Sequence, residues 1–274
     1  MKDVAFGQYL PSNSLVHKMD PRAKILLSIA YIVAVFLVKP FHFMGFALCF
    51  SFLIIAVALA KVSFFKILKS IKVILFFVIF SAILQLFFNT DGKTVLTLGS
   101  VKITDVGLYN AGFIIVRIIL VVMGASLLTL TTSPIELADG IESLLSPLKI
   151  IKFPAHEFAL IMSIALRFIP TLLDETDRII KAQKARGADF ESGNIFKRAK
   201  ALIPVLIPLL ISSFRRADEL ADAMDARCYS GSKNRTKYKK LTFTFRDLIG
   251  VLGVAGLIVG VVFLNKFYLV MTVL

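Results

Sequence analysis

Apolar residues form five continuous runs along the chain, and four of them fall within the first 130 residues. The runs are Ile25–Val38, Phe43–Ala60, Val73–Phe88, Phe113–Leu130 and Leu248–Leu264. A helix that crosses the hydrocarbon core of a bilayer needs roughly 20 mainly apolar residues. The pattern therefore predicts an all-α integral membrane protein with about five transmembrane helices. We place four of them in an N-terminal block, residues 1–130, and one at residues 247–274.

Between the fourth and fifth runs, over residues 131–246, the pattern changes to the 3.6-residue period of amphipathic helices. Two long helices are predicted, with apolar parts at about 158–173 and 201–214. Arg167 interrupts the first part, and Arg215 and Arg216 directly follow the second. Short apolar segments are typical of interfacial or protein-covered helices, and a charge inside a span is costly. We therefore expect a cytoplasmic domain of helices here, with two long ones at or below the membrane face, and not two further spans.

Composition agrees with a membrane protein, because 57% of the residues are hydrophobic and the mean hydropathy is +0.82. The net charge of +14 is also compatible with binding to nucleic acid. The cations, however, cluster beside the apolar runs, which is the pattern of a membrane protein with positively charged cytoplasmic loops. We therefore expect the lipid bilayer, and no nucleic acid, as the partner of these charges.

The distribution of charge predicts the orientation of the spans. Residues 61–72 carry four lysines and no acid, whereas residues 89–110 balance two lysines with two aspartates. The positive-inside rule puts the N-terminus and residues 61–72 in the cytoplasm, with residues 89–110 outside. Residues 131–246 are then cytoplasmic, and the basic residues 233–240 are expected to face anionic lipid heads.

Each of the two long amphipathic helices is predicted to end on an Ala-Arg-small motif. The motifs are Ala185-Arg186-Gly187 and Ala226-Arg227-Cys228. A planar guanidinium can donate two parallel hydrogen bonds to one carboxylate, and small neighbours let a partner's backbone come close. A single arginine in the last helical turn would be explained by the helix dipole alone. The repetition instead predicts two similar docking grooves on soluble partners.

With these paired motifs between a four-span block and a final span, the chain resembles the transmembrane T component of energy-coupling factor transporters. These are ABC-type importers of vitamins and trace metals, and the resemblance covers essentially the whole chain. One departure is Cys228, where that family most often has Gly. The resemblance implies a non-catalytic scaffold in the plasma membrane of a prokaryote, without a cofactor of its own.

The resemblance also implies partners and roles for particular residues. Arg186 and Arg227 would pair with acidic residues in two homologous ATP-binding subunits, with Ala185, Gly187, Ala226 and Cys228 as a small collar around them. Pro170, Pro204 and Pro208 are expected to bend the helices. The apolar stripes would contact a substrate-binding S component whose site the ATP-driven movement opens. The stripe residues assigned to this contact are Ile161, Ala165, Ile169, Leu206, Leu209, Leu210 and Ser213.

A second function remains open from the residues alone. Asp218, Glu219, Asp222 and Asp225 form an acidic cluster that could hold Mg²⁺ in a membrane-embedded transferase. Arg215 and Arg216 lie one turn before it, so a solvated or arginine-paired face is the simpler interpretation. The three histidines, His17, His42 and His156, show no metal-ligand spacing, and we expect no metal site.

Overall fold

The computed structural model describes residues 9–40, 43–88, 93–98, 101–147, 155–190, 192, 194–229, 231 and 242–273. The predicted basic loop at residues 233–240 lies outside these residues. The described helices are α1 (Pro21–Leu37), α2 (Phe43–Ala60), α3 (Phe64–Phe88), α4 (Asp105–Thr131), α5 (Pro134–Leu145), α6 (Ala155–Ala185), α7 (Ile195–Ala226) and α8 (Phe245–Val273). Two short antiparallel strands, β1 (Thr94–Leu98) and β2 (Val101–Thr104), pair between α3 and α4.

The prediction of an all-α membrane protein is confirmed, with the hairpin as an addition. Three of the described helices are long and apolar enough to cross a membrane, namely α2, α4 and α8. The 17-residue α1 and the apolar part of α3, Ile74–Phe88, are shorter. Five spans therefore remain a prediction, of which three are supported by length and composition.

Two segments differ from the expectation drawn from charge. Most of the presumed loop at residues 61–72 is helical, because α3 begins at Phe64. Lys66, Lys69 and Lys72 repeat every third residue, so they share one side of the helix and remain exposed. In the same way, α4 begins at Asp105 and not near Phe113. Charge marks the end of an apolar run, but it does not end a helix.

The chain forms two compact units. The membrane unit comprises residues 7–140 and 241–274, and the two-helix unit comprises residues 141–240, with α6 and α7. The core of the membrane unit includes buried side chains from α1, α2, α3, α4 and α8, among them Val35, Leu53, Ile67, Leu120 and Val261. The membrane unit is therefore discontinuous in sequence, since its last helix follows the two-helix unit.

Glycines allow the helices of the membrane unit to approach closely. A Cβ atom at Gly124 would lie 2.4 Å from the Tyr31 ring, and one at Gly260 would lie 2.9 Å from Leu48. At Gly250 a Cβ would lie 2.7 Å from Met19. Side chains at these positions would force the helices apart, as in other membrane proteins with small residues at helix contacts. At least two of the glycines on one face of α8 therefore serve packing within the chain.

Polar side chains from two other helices donate hydrogen bonds to backbone carbonyls at the C-terminal end of α1. Arg117 of α4 donates from Nη2 to the Val38 carbonyl at 2.7 Å, and Asn265 of α8 donates to the Leu37 carbonyl at 2.8 Å. The Arg117 guanidinium also lies over the rings of Phe36 and Phe113. An arginine within an apolar helix is tolerated here because it replaces the hydrogen bonds that lipid cannot supply.

A buried polar cluster joins the N-terminal ends of α1 and α8. Asp247, only 2% exposed, accepts hydrogen bonds from the backbone N–H groups of Asp20 at 2.8 Å and Thr244 at 2.7 Å. Asp20 in turn caps α1, and Lys24 Nζ donates to the carbonyls of His17 and Thr131. The cluster therefore fixes α1, α8 and the end of α4 together.

Candidate functional site

The two long helices of the two-helix unit are held to each other by polar contacts as well as apolar packing. Arg216 of α7 forms an ion pair with Glu175 of α6. Pro208 has no N–H to give to the Pro204 carbonyl one turn earlier. The side-chain nitrogen of Gln183 in α6 lies 3.5 Å from that carbonyl oxygen. This is a long hydrogen bond. These two contacts set the pairing of α6 with α7 in the described residues.

Both helices end in the same backbone motif. In the first, Ala188 N–H donates to the Gln183 carbonyl at 3.0 Å, and Gly187 N–H donates to the Lys184 carbonyl at 3.0 Å. This pair of bonds defines a Schellman motif, with Arg186 as the C-cap residue and Gly187 next to it. Gly187 has φ +89°, a left-handed conformation that glycine adopts without strain.

The end of the second helix repeats this arrangement. Tyr229 N–H donates to the Met224 carbonyl at 3.0 Å, and Cys228 N–H donates to the Asp225 carbonyl at 2.9 Å. Arg227 is therefore the C-cap residue, and Cys228 adopts φ +54°. Because the same two bonds close both helices, the two motifs present their arginines from equivalent backbone positions. We call residues 185–187 and 226–228 the two tips.

Both tips are exposed over all six of their residues. Within the described part of the chain, neither Arg186 nor Arg227 forms an ion pair or a side-chain hydrogen bond. Each guanidinium stands at the negative end of its own helix dipole. The arrangement can therefore offer two planar cations, on matching backbones, to carboxylates of another molecule.

Gly187 and Cys228 have a local role in addition to that of a small collar around the arginines. Each takes the left-handed conformation and closes its helix. Glycine directly after a helical pattern predicts this role at Gly187, and the structure confirms it. At Cys228 the residue type gives no such signal, so the role there follows only from the backbone hydrogen bonds.

The prolines and the apolar stripe lie within the same two helices, α6 and α7, before the tips. Pro170 is inside α6, and Pro204 and Pro208 are inside α7; their role as bends stays a prediction. Of the residues assigned to contact an S component, Ile161, Ala165, Leu206 and Leu210 are exposed, and Ile169, Leu209 and Ser213 are half-buried.

Sequence reasoning missed a second set of exposed apolar residues on α7. Ile203, Ile207 and Ile211 follow at four-residue intervals and, with Phe214, are each about half or more exposed. Four-residue spacing places them along one side of the helix, next to the stripe that contains Leu206 and Leu210. The apolar surface of α7 is therefore wider than the single stripe that the periodicity indicated.

The acidic cluster does not form a metal site in the described residues. Asp218, Glu219, Asp222 and Asp225 are all exposed on α7. No group of three or more His, Cys, Asp or Glu side chains comes together among the described residues. The ring of His17 accepts from Ser14 and donates to the Leu10 carbonyl, which is a structural role. His42 and the side chain of His156 lie outside the described residues. The transferase alternative gains no support.

Three helices that can span a bilayer, together with two exposed helix tips of equivalent backbone, define a multi-pass membrane protein with paired candidate docking sites. The family model described as "Cobalt transport protein" (CbiQ) matches residues 12–238. Curated relatives carrying the name energy-coupling factor transporter transmembrane protein EcfT match over nearly their whole length. The chain therefore belongs to the family of energy-coupling factor transporter transmembrane proteins.

These relatives are similar to the chain in sequence, and the similarity extends over most of both proteins. The protein of Ruminiclostridium cellulolyticum is 51% identical over 249 residues, which cover 91% of this chain and 92% of that protein. The protein of Thermosediminibacter oceani is 46% identical over 260 residues, with 95% and 97% covered. The protein of Streptococcus thermophilus is 44% identical over 257 residues, with 94% and 97% covered. The resemblance drawn from the paired motifs is confirmed.

Proposed function

We propose that the chain is the non-catalytic transmembrane scaffold of an energy-coupling factor importer. In this role it transmits ATP hydrolysis by two homologous ATP-binding subunits to a substrate-binding S component that takes up a vitamin or another micronutrient. The observation that carries the proposal is the equivalence of the two tips. Two helix ends closed by the same pair of backbone hydrogen bonds, each with an exposed arginine at the C-cap, match a pair of similar subunits better than a single one.

The chemistry of docking follows from the geometry of the tips. Each arginine would form a two-fold hydrogen-bonded pair with a carboxylate in a groove of one ATP-binding subunit. A pair that is desolvated in such a groove depends on both charges, because removing one leaves the other buried without a partner. Closure of the two ATP-binding subunits would then move α6 and α7, and the ion pair between Arg216 and Glu175 would keep the helices moving together.

The exposed apolar surface of α6 and α7 before the tips suits contact with a membrane partner. Ile161 is 65% exposed and Leu206 is 58% exposed, whereas a helix of a soluble globular protein turns such side chains toward its core. We assign this surface, widened on α7 by Ile203, Ile207 and Ile211, to the S component and the adjoining lipid. We also propose that the protein lies in the plasma membrane of a prokaryote, with its N-terminus and the two-helix unit in the cytoplasm.

The docking role is tested by reversing both tip charges at once. In the Arg186→Glu, Arg227→Glu double variant, carboxylates would face carboxylates, so we expect co-purification with the ATP-binding pair to fall at least tenfold and uptake to be lost. The measurement is pull-down from membranes that express all subunits, followed by uptake of the labelled substrate.

The matched control reverses one exposed arginine on each of the same helices away from the tips. The Arg167→Glu, Arg215→Glu variant has the same change in net charge and should still assemble with the ATP-binding pair. Normal assembly and uptake by the tip variant would contradict the proposal. Equal loss in both double variants would assign the effect to net charge and not to the tips.

A further inference from the structure

The membrane unit contains a partly open cleft of about 330 Å³ between α1, α2, α4 and α8. Its walls come from the first half of α1, the last part of α2, the end of α4 and the start of α8. These four helix ends lie at the side that the charge pattern assigns to the cytoplasm. The cleft therefore opens at the level of the inner leaflet. Its volume is at the lower end of ligand pockets in proteins.

The walls of the cleft are almost wholly apolar, and the residues that line it include two cations, Lys24 and Arg246. Lys24 is buried, and its ammonium donates to the carbonyls of His17 and Thr131. Arg246 is exposed and forms no ion pair with the described residues. Of these two cations, Arg246 is therefore the one available to an anionic ligand.

We propose that the cleft is a binding site for one anionic phospholipid of the inner leaflet. One acyl chain lies between the helices, and the phosphate pairs with Arg246 at the rim. Basic rims on cytoplasmic pockets between membrane helices are suited to such headgroups.

The absence of tryptophan from the chain gives a sensitive test. Phe52 lines the cleft, so Phe52→Trp introduces a single tryptophan at the site, whose emission can be excited selectively at about 295 nm. The full-length protein is reconstituted into vesicles that contain either phosphatidylglycerol or phosphatidylcholine with brominated acyl chains, at equal mole fraction. We expect the brominated anionic lipid to quench the fluorescence at least threefold more strongly than the brominated zwitterionic lipid.

Two further variants on the Phe52→Trp background, each with a matched control, separate the contribution of the acyl chain from that of the lipid headgroup. Ala56→Phe fills the cleft and should remove most of the quenching by the anionic lipid, whereas Ala58→Phe on the exposed side of the same helix should leave it unchanged. Arg246→Gln should abolish the preference for the anionic lipid. Lys266→Gln, an exposed cation at the other end of α8, should preserve it.

Native mass spectrometry of the unaltered protein provides a second measurement that does not depend on these variants. One retained phosphatidylglycerol per chain, lost in Arg246→Gln, is the expected result. Equal quenching by the two lipids together with no retained lipid would overturn the proposal and leave ordinary bilayer contact. Displacement by inorganic phosphate alone would also overturn it, because the acyl chain would then contribute nothing. None of these readouts involves transport, so they are independent of the proposed function.

Discussion

At the scale of single residues, the least expected feature is the conformation of Cys228. A residue with a Cβ atom in the left-handed region costs about 1–2 kcal/mol, and glycine avoids most of that cost. Gly187 occupies the equivalent position in the first tip without strain. The second tip therefore keeps the geometry of the first in spite of its side chain.

This strain makes a specific prediction about stability. Cys228→Gly should raise the free energy of unfolding by up to about 1 kcal/mol, because it relieves the left-handed conformation but adds freedom to the unfolded chain. Cys228→Val should lower it by about 1 kcal/mol or more, since a branched side chain fits this conformation poorly. Thermal unfolding of the detergent-purified protein measures both effects.

A matched control uses the same helix outside the tip. Ala223 is exposed within α7, so Ala223→Val costs only the difference in helix propensity, about 0.5 kcal/mol. If Cys228→Val were no more destabilising than Ala223→Val, the strain at the second tip would be disproved. Normal docking by Cys228→Gly would show in addition that the thiol is not needed.

At the scale of elements, the ion pair between Glu175 and Arg216 links α6 and α7 about two-thirds of the way along each helix. Partly exposed ion pairs add little to the free energy of unfolding. We therefore expect this ion pair to act by keeping the two tips aligned. Glu175→Arg or Arg216→Glu alone would place like charges together, and we expect ATP-driven uptake to fall several-fold. The Glu175→Arg, Arg216→Glu exchange restores opposite charges and should restore most of the uptake.

The control for this exchange is Asp174→Arg, which reverses an exposed carboxylate one position earlier and should leave uptake nearly unchanged. A charge exchange that stays as inactive as the single variants would contradict the alignment role. Loss of protein from the membrane in the single variants, measured by immunoblot, would separate misfolding from loss of coupling.

The elements also show what could be predicted from sequence and what could not. Long apolar runs located α2, α4 and α8, because lipid demands continuous apolar helices, and the 3.6-residue period located α6 and α7. The start of α3 at Phe64 was missed because lysines on one exposed side do not interrupt a helix. The strands β1 and β2 were missed as well, although threonine and valine in both are typical of strands.

The candidate site was predictable to a similar degree. The repetition of Ala-Arg-small identified both tips, since each motif stands at the end of a strongly periodic segment. The contacts of Arg216 with Glu175 and of Gln183 with Pro204 were not predictable, because they join residues from different helices and depend on how the helices pack. The same reason concealed the cluster of Asp20, Lys24 and Asp247, whose members look like ordinary charges beside spans.

At the scale of the whole molecule, the proposed orientation can be tested with a cysteine that the chain already has. Cys228 is exposed and Cys49 is buried in α2. A membrane-impermeant maleimide should therefore label the protein in inside-out vesicles and leave it unlabelled in intact cells. Mass spectrometry of the labelled peptide identifies the site.

The same reagent reports on docking, since Cys228 belongs to the second tip. Assembly with the ATP-binding pair should slow its labelling at least tenfold, and the Cys228→Ser variant is the control for labelling elsewhere. Labelling from the outside would refute the proposed orientation. Equal labelling rates with and without the ATP-binding pair would refute docking at this tip.

The hydrogen bond from the Asp20 N–H to the Asp247 carboxylate joins residues 227 positions apart. A ribosome synthesises α1 long before α8, and domains of a nascent chain form from the N-terminus onward. The membrane unit consequently cannot close until the two-helix unit has been translated. During that interval, the contacts that α1 and α2 make with α8 remain unmade. Closure of the membrane unit thus comes after synthesis of the two-helix unit, although most of the membrane unit precedes it in the chain.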